Sequence, residues 1–365
     1  MAKKTIVYFT KYTAAGPSSR YRSYQYFPYL EENGYTVTQK PLFPDSYIQI
    51  LYGRGRKSML VVIPAYIKRF LQVLFLKKHD IIFIEYELFP FTPYWIEKLL
   101  LWRKKNIVID FDDAIFHNYD RSTNTLVKWL CSDKIYRLVK HASVVITGSP
   151  YLTSVLTDYS RRVVEIPTSI VYEKYQLPMP VKKEAGTLFR IGWIGSKYTS
   201  INLGMVTEAI KNLQQQYTAE LALIGFDPLQ MPLLEGVNYR VFAWDASTEV
   251  ALIHSFDVGI MPLEDNDFNN GKCGFKLIQY MACGVPTIST PLAANVKINR
   301  NHNNLHASGS GEWQLCFENI LSNAAYFTGT VGEQNRQIVH DFYSVERNYI
   351  HYLDVFDHII SNKNS

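Results

Sequence analysis

Short runs rich in β-branched residues recur along the chain, each followed by a stretch of helical character. That alternation limits the fold more than any other feature. TIVYFT (5–10), DIIFIEY (80–86), NIVIDFD (106–112), SVVITGS (143–149) and VVEIP (163–167) each read as a strand buried on both faces, as in a parallel sheet. After the first run, Gly16-Pro17 makes a turn. Ser18 or Ser19 then caps a helix running to Asn33-Gly34, and YTVTQKP alternates as a second strand. PYWIEKLLLWRKK, TLVKWLCSDKIYRLVKHA and PYLTSVLTDYS supply helices between the later strands. Strands alternating with helices predict an α/β fold built on a doubly wound sheet.

The pattern breaks over 168–188, where TSIVYEKYQLPMPVKKEAGTL has two prolines and no clean period. It restarts with LFRIGWIGS (188–196), AELALIG (219–225), VNYRVFAW (237–244), VGIMPL (258–263) and PTIST (286–290), with helical stretches between. A chain of 365 residues suits about two domains. The boundaries read as a first domain over 1–170, a linker over 171–188 and a second domain over 189–342. A terminal helix over 343–365 is expected to return to the first domain.

Composition narrows the function classes. The four cysteines, Cys131, Cys273, Cys283 and Cys316, form no CxxC pair, and the nine histidines show no ligand spacing. Neither a zinc site nor a disulfide framework is expected, which fits reduced thiols in the cytoplasm. MAKKTIVYFT enters a strand without the apolar core of a signal peptide. No uncharged apolar stretch is long enough to predict a transmembrane helix. Residues 1–150 carry 22 Lys and Arg against 12 Asp and Glu, whereas the remainder is acidic. The asymmetry points to an anionic partner for the first half, a membrane surface or a nucleic acid.

Several motifs lie at strand ends, where open α/β sheets bind ligands. GKCGFKLIQYMACGVPTI (271–288) sets Lys272 before a helix and Lys276 in its first turn. Cations at a positive helix end make sense if an anion such as a diphosphate sits there; otherwise they are solvated surface lysines. In GWIGS (192–196), Gly195 and Ser196 would let backbone N–H groups approach a phosphate, or they make an ordinary turn. IDFDDAIF (109–116) clusters Asp110, Asp112 and Asp113, which read as a DxD metal site or as helix caps. Glu85 and Glu87 end another strand, and Ser19, Arg20 and Arg22 follow the first. If the strands are parallel, these groups share one crevice; alternatively the arginines coat a helix surface. In GRGRKSMLVVIPAYIKRFLQVLFLKK (53–78), Lys68, Arg69, Lys77 and Lys78 interrupt a greasy run. The segment is either a membrane-interface helix or a core helix with snorkelling lysines.

GPSSRYR, DFDDAIF, TGSPYL, IGWIGS, FDVGIMPL and GKCGFKLIQYMACGVPTISTP, in that order over about residues 5–300, resemble the group 1 glycosyltransferases of family 4. The branch is one that often works on bacterial surface polysaccharides. The resemblance implies a GT-B architecture, two Rossmann-like domains facing across a cleft. It also implies retaining transfer from a UDP- or GDP-sugar with no required metal. The acceptor is a saccharide or lipid-linked saccharide, nucleic acid is not a partner, and the enzyme works in the cytoplasm or at the inner membrane face. Lys276 and Lys272 would bind the diphosphate, with Gly195, Ser196, Gly274 and Gln279 also in the donor site. Asp112 or Asp113 would orient acceptor or sugar, and Ser19, Arg20, Glu85 and Glu87 would hold the acceptor. Gly271 and Gln279 occupy the two slots where the family usually has glutamates, which bears on donor choice. The rival readings are a metal-dependent transferase using Asp110 and Asp112, a nucleotide-sugar epimerase or hydrolase, and a non-catalytic nucleotide-sugar binder.

Overall fold

The structure, a computed structural model, describes residues 3–54, 59–102, 104–176, 188–196 and 199–361. Residues 177–187 of the expected linker and 55–58 of the basic apolar segment lie outside the described residues. The chain divides into two units. One comprises Met1–Ser169, Gly271–Cys273 and Asn348–Ser365; the other comprises Ile170–Asn270 and Gly274–Arg347.

The first unit holds strands β1 (Lys4–Phe9), β2 (Tyr35–Gln39), β3 (Ile81–Glu85), β4 (Ile107–Phe111), β5 (Val144–Thr147) and β6 (Val163–Glu165). Their order is β2-β1-β3-β4-β5-β6 and every pairing is parallel. Strands β3, β4 and β5 are buried at every position, which is why they read as continuous apolar runs. The strand order reverses between β1 and β3, so the chain leaves these two strands in opposite directions and opens a crevice at their carboxyl ends.

The helix expected from Ser18 or Ser19 to Asn33 is broken. Gly16 is its N-cap, Pro17 opens Pro17–Arg22, and after Ser23 a short 3-10 turn leads into Phe27–Glu32. Pro28, which lacks an N–H, fits the first turn of that second segment. Ser19 caps nothing and points inward instead. The register sets Glu85 beside Asp110 on neighbouring strands, so both carboxylates face the same side of the sheet. Ser19 and Arg22 lie three residues apart on the helix, a rise of about 4.5 Å, close to the roughly 4.8 Å between strands. Each therefore meets one acid. Ser19 Oγ donates to Glu85 at 2.7 Å, and Arg22 grips Asp110 through Nη2 at 2.5 Å and Nε at 3.0 Å. Arg22 Nη1 also donates to the Ile166 carbonyl at 2.7 Å, and the Arg22 carbonyl accepts from Tyr352 at 3.4 Å. The Tyr349 ring stacks on Tyr29 and the Tyr352 ring packs at a tilt against Tyr26, covering this side of the sheet.

The second unit holds β7 (Phe189–Ile194), β8 (Ala219–Ile224), β9 (Tyr239–Phe242), β10 (Val258–Met261), β11 (Thr287–Ser289) and β12 (Leu305–His306). The order β12-β11-β10-β7-β8-β9 is parallel throughout and is the Rossmann arrangement, with its switch point between β7 and β10. These two strands pair only at Ile191–Val258 and Gly192–Gly259. Aromatic rings fill the space that side chains at these glycines would take. A Cβ at Gly192 would lie 1.9 Å from Phe256, and one at Gly259 would lie 2.4 Å from Tyr280. Tyr280 Oη then accepts the Ile194 N–H at 2.8 Å and donates to the Ile260 carbonyl at 3.3 Å. One phenol thus replaces the next rung of the ladder and spreads the strands at the switch point. Among the described residues, no helix is long and apolar enough to cross a membrane.

Removing one partner of a buried ion pair leaves the other charge unpaired in the interior. The Asp110→Ala variant is therefore expected to lose about 3–5 kcal/mol of stability, read from urea unfolding curves. A loss below about 1 kcal/mol, the range of surface pairs, would show that the Arg22 clamp contributes little.

Candidate functional site

In the second unit, the helix Phe275–Ala282 begins beside the switch point. Its N-cap, Gly274, has φ 65°, and a Cβ there would meet Ile298 Cδ1 at 2.3 Å. Only glycine combines that left-handed turn with such close packing. Lys276, in the first turn, sends Nζ to 3.4 Å from Thr199 Oγ1 and 5.5 Å from the centre of the Trp193 ring. The indole face attracts the ammonium and Thr199 offers it a lone pair, which fixes one cation at the positive end of a helix. That arrangement suits an anion.

Gly195 and Ser196 serve the fold differently from the sequence expectation. The Gly195 N–H continues the ladder by donating to the Ile224 carbonyl at 3.0 Å, and the Ser196 N–H donates to Thr199 Oγ1 at 3.1 Å. Glycine is required at 195 because a Cβ would lie 2.2 Å from the Trp193 indole.

Gln279, one turn after Lys276, is buried. Its Nε2 donates to Glu249 Oε1 at 2.8 Å and to Tyr175 Oη at 3.1 Å. Glu249 is also buried, and its other oxygen accepts from the Trp244 indole. The carboxylate missing at 279 is thus present beside it, contributed by residue 249. Trp193, Thr199, Tyr175 and Glu249 carried no signal in the sequence, because no motif spacing links them to Lys276 or Gln279.

In the first unit, the candidate residues separate into three groups. Ser19 and Glu85 form a closed buried cluster, with Glu85 also accepting the Lys11 N–H at 3.1 Å and Ser19 Oγ accepting the Tyr12 N–H at 3.1 Å. Burial pushes the Glu85 carboxyl up to about 8, against the opposing pull of Ser19 and Lys11. Glu87 does not share that crevice. Tyr86 has φ 62°, and this turn in the chain sends Glu87 to Lys134 Nζ at 2.6 Å and to the Tyr119 hydroxyl. Glu97 completes this network at 2.8 Å from Lys134. Ser19, Glu85 and Glu87, expected at the acceptor, are all buried and engaged with other protein groups. Arg20 is half-buried, its guanidinium 5.1 Å from the Tyr21 ring centre.

The aspartates divide as well. Asp110 is fully buried in the Arg22 pair, so it neither joins a DxD metal set nor leaves Arg22 on the surface. Asp112 and Asp113 remain half-exposed at the end of β4. Asp113 lies 3.3 Å from Lys272 Nζ. Asp112 accepts from the Tyr86 hydroxyl, and burial, then the neighbouring Asp113, pushes its carboxyl up to about 6. Cys273 Sγ donates to the Asp112 carbonyl at 2.9 Å, and Ser149 Oγ donates to the Gly271 carbonyl at 3.3 Å. Gly271–Cys273 thus belong structurally to the aspartates. A Cβ at Gly271 would lie 2.4 Å from Ala114 Cβ, so the glutamate usual in that slot has no room here.

Glu85 sets a pH dependence. Its folded pKa is raised, so the folded state holds a proton that the unfolded state releases above about pH 4.5. Its contribution to stability is complete below that pH and is lost as pH rises toward 8. The slope from this group is at most about 1.4 kcal/mol per pH unit. Urea unfolding between pH 5 and pH 8 should show the decline, and Glu85→Gln should flatten it. An unchanged slope in that variant would assign the proton to another group.

Residues 189–323 match the family model described as glycosyl transferases group 1. No curated protein matches the sequence. Among solved structures, a glycosyltransferase from Rickettsia africae is similar at 16% identity and TM-score 0.69, covering 99% of this chain and 100% of that one. Sucrose-phosphate synthase from Thermosynechococcus elongatus is similar at 14% identity and TM-score 0.69, with 99% and 100% covered. Anabaena HepE, solved in complex with UDP, is similar at 11% identity and TM-score 0.68, with 97% and 100% covered. At such identities the likeness concerns the fold, and the family match lies on the unit that holds Lys276. Residues 189–323 thus carry the similarity to the group 1 glycosyl transferases, and the chain as a whole has the GT-B fold of its structural neighbours.

Proposed function

We propose that the chain moves a sugar, with retention of anomeric configuration, from a UDP-sugar to a saccharide or lipid-linked saccharide in cell-surface polysaccharide assembly. The observation that carries this reading is Lys276, held by Thr199 and Trp193 at the start of a helix beside the switch point. The bond from the anomeric carbon to the diphosphate breaks and leaves negative charge on the phosphate oxygens. Lys276 and the helix end stabilise that charge as it develops. The acceptor hydroxyl forms its bond on the face the diphosphate leaves, and its proton passes to the departing phosphate oxygen. No metal is needed for this step, because the cationic charge comes from the chain.

UDP is favoured over GDP because HepE, a structural relative, was solved with UDP and with UDP-glucose. Gln279, with its Nε2 turned to Glu249, is left to accept from donor hydroxyls through Oε1. Asp112 orients the acceptor or the transferred sugar, Arg20 contacts the acceptor, and Lys272 with Asp113 stiffens the loop that carries Gly271. The reading places the enzyme at the cytoplasmic face of the inner membrane. The basic excess of residues 1–150 supports that location.

Lys276→Ala should lower transfer by about 10²–10³-fold while leaving the unfolding midpoint nearly unchanged. Near-normal transfer from a folded variant would remove Lys276 from the reaction. A thermal-shift series with UDP-, GDP-, ADP- and CMP-sugars should raise the melting point most with a UDP-sugar. Retained activity in EDTA is expected. Free sugar or an epimer formed without acceptor would redirect the reading to hydrolysis or epimerisation.

A further inference from the structure

The first unit buries charges and exposes tryptophans. In the helix Met59–Leu74, the inward line is Ala65, Arg69 and Val73. Arg69 Nη2 donates to the Thr10 and Lys40 carbonyls at 2.8 Å, and burial pulls its pKa down to about 9. Arg69 thus separates from Lys68, Lys77 and Lys78 of the same segment by turning into the core. The outward line of the same helix is apolar and continues past its end, with Leu60 87% and Phe75 74% exposed. The helix Tyr94–Leu101 repeats the inversion. Tyr94, Glu97 and Leu101 face in, while Trp95, Leu99 and Trp102 face out at 63%, 67% and 70% exposure. In the helix Thr125–Cys131, Trp129 is 78% exposed.

These outward surfaces lie on one side of the sheet. The three crossovers, from β2 to β3, β3 to β4 and β4 to β5, step in the same direction, and right-handed connections put their helices on the same face. The buried sides of all three helices enter one core cluster through Val73, Leu101 and Cys131. Lys104 Nζ donates to the Leu76 carbonyl at 3.3 Å, tying the end of the second helix to the end of the first.

We infer that this face docks on an anionic lipid bilayer. Large apolar side chains exposed together on one side of a sheet mark an interaction surface. Tryptophan, with an apolar ring and one N–H, favours the boundary between headgroups and acyl chains. Charge selects the lipid. An open groove of about 830 Å³ runs beside the helix Met59–Leu74, with Ile67, Leu71 and Phe75 as apolar lining and Lys40, Lys68 and Lys77 among its polar residues. Apolar lining beside ammonium groups matches acyl chains below a phosphate headgroup. The inference rests on the membrane location in the reading above but not on the transfer chemistry, so its test uses no donor or acceptor.

The test is co-sedimentation of the full chain with phosphatidylglycerol-containing vesicles and with neutral phosphatidylcholine vesicles, with brominated lipids as fluorescence quenchers. Binding to the anionic vesicles alone, with quenched tryptophan emission, is expected. Lys68→Glu with Lys77→Glu should weaken it by about 30-fold. Trp95→Ser with Trp129→Ser should also weaken binding and remove most of the quenching; both substitutions lie at exposed positions, and unfolding curves check that the fold is kept. Failure to bind anionic vesicles, or binding unaffected by the tryptophan pair, overturns the inference. So does a concentration-dependent dimer in sedimentation velocity that the tryptophan variant abolishes, since the face would then belong to a second copy. Any of these results leaves the Lys276 experiment standing.

Discussion

The clamp of one short helix on two neighbouring carboxylates is the interaction around which the first unit is built. Asp110 and Glu85 sit side by side on β4 and β3, both buried, and two such acids repel unless something compensates them. Arg22 answers the first with a full charge and two parallel hydrogen bonds, while Ser19 and the Lys11 amide answer the second with dipoles alone. Burial pushes both carboxyls up, with Arg22 opposing the rise at Asp110, while Glu85 is pushed up to about 8. The helix Pro17–Arg22 owes its position to this pairing, and Arg22 extends the hold to the segment after β6 and to the C-terminal helix.

The same economy of charge governs the other side of that sheet. Lys134 holds Glu87 and Glu97, and Arg69 satisfies two carbonyls, all beneath helices whose outer residues are leucine, phenylalanine and tryptophan. Buried ion pairs are seldom a source of net stability, because desolvation cancels most of the attraction. Their value here is in geometry. They fix which side of each helix turns inward and thereby leave an apolar face outward, where water alone would not favour it.

The second unit solves a different problem, that of opening a sheet where a ligand must enter. Gly192 and Gly259 admit the rings of Phe256 and Tyr280, and the Tyr280 hydroxyl takes over a backbone bond that β10 would otherwise provide. The helix that supplies Tyr280 also supplies Lys276, one turn earlier. The residue that spreads the strands and the lysine proposed to meet an anion are therefore set by one rigid element. An electrostatic catalyst gains from such rigidity, because its charge needs no reorganisation during the reaction.

The strands were legible in the sequence because a parallel strand covered on both faces must be apolar throughout, and few other structures impose that pattern. The place of Lys276 in the first turn of a helix was legible because a glycine turn precedes an apolar helical run. The partners of the acids were not legible. Glu85 and Glu87 are two residues apart, yet a left-handed turn at Tyr86 sends one to Ser19 and the other to Lys134. Asp110 and Asp112 look like one motif, yet only the first lies within reach of Arg22. Lys272 looks like the companion of Lys276 but meets Asp113, 159 residues earlier. Local sequence fixes propensity and spacing. Which charge neutralises which depends on strand order and register, and those arise only when the whole sheet assembles and desolvation makes every unpaired ion costly.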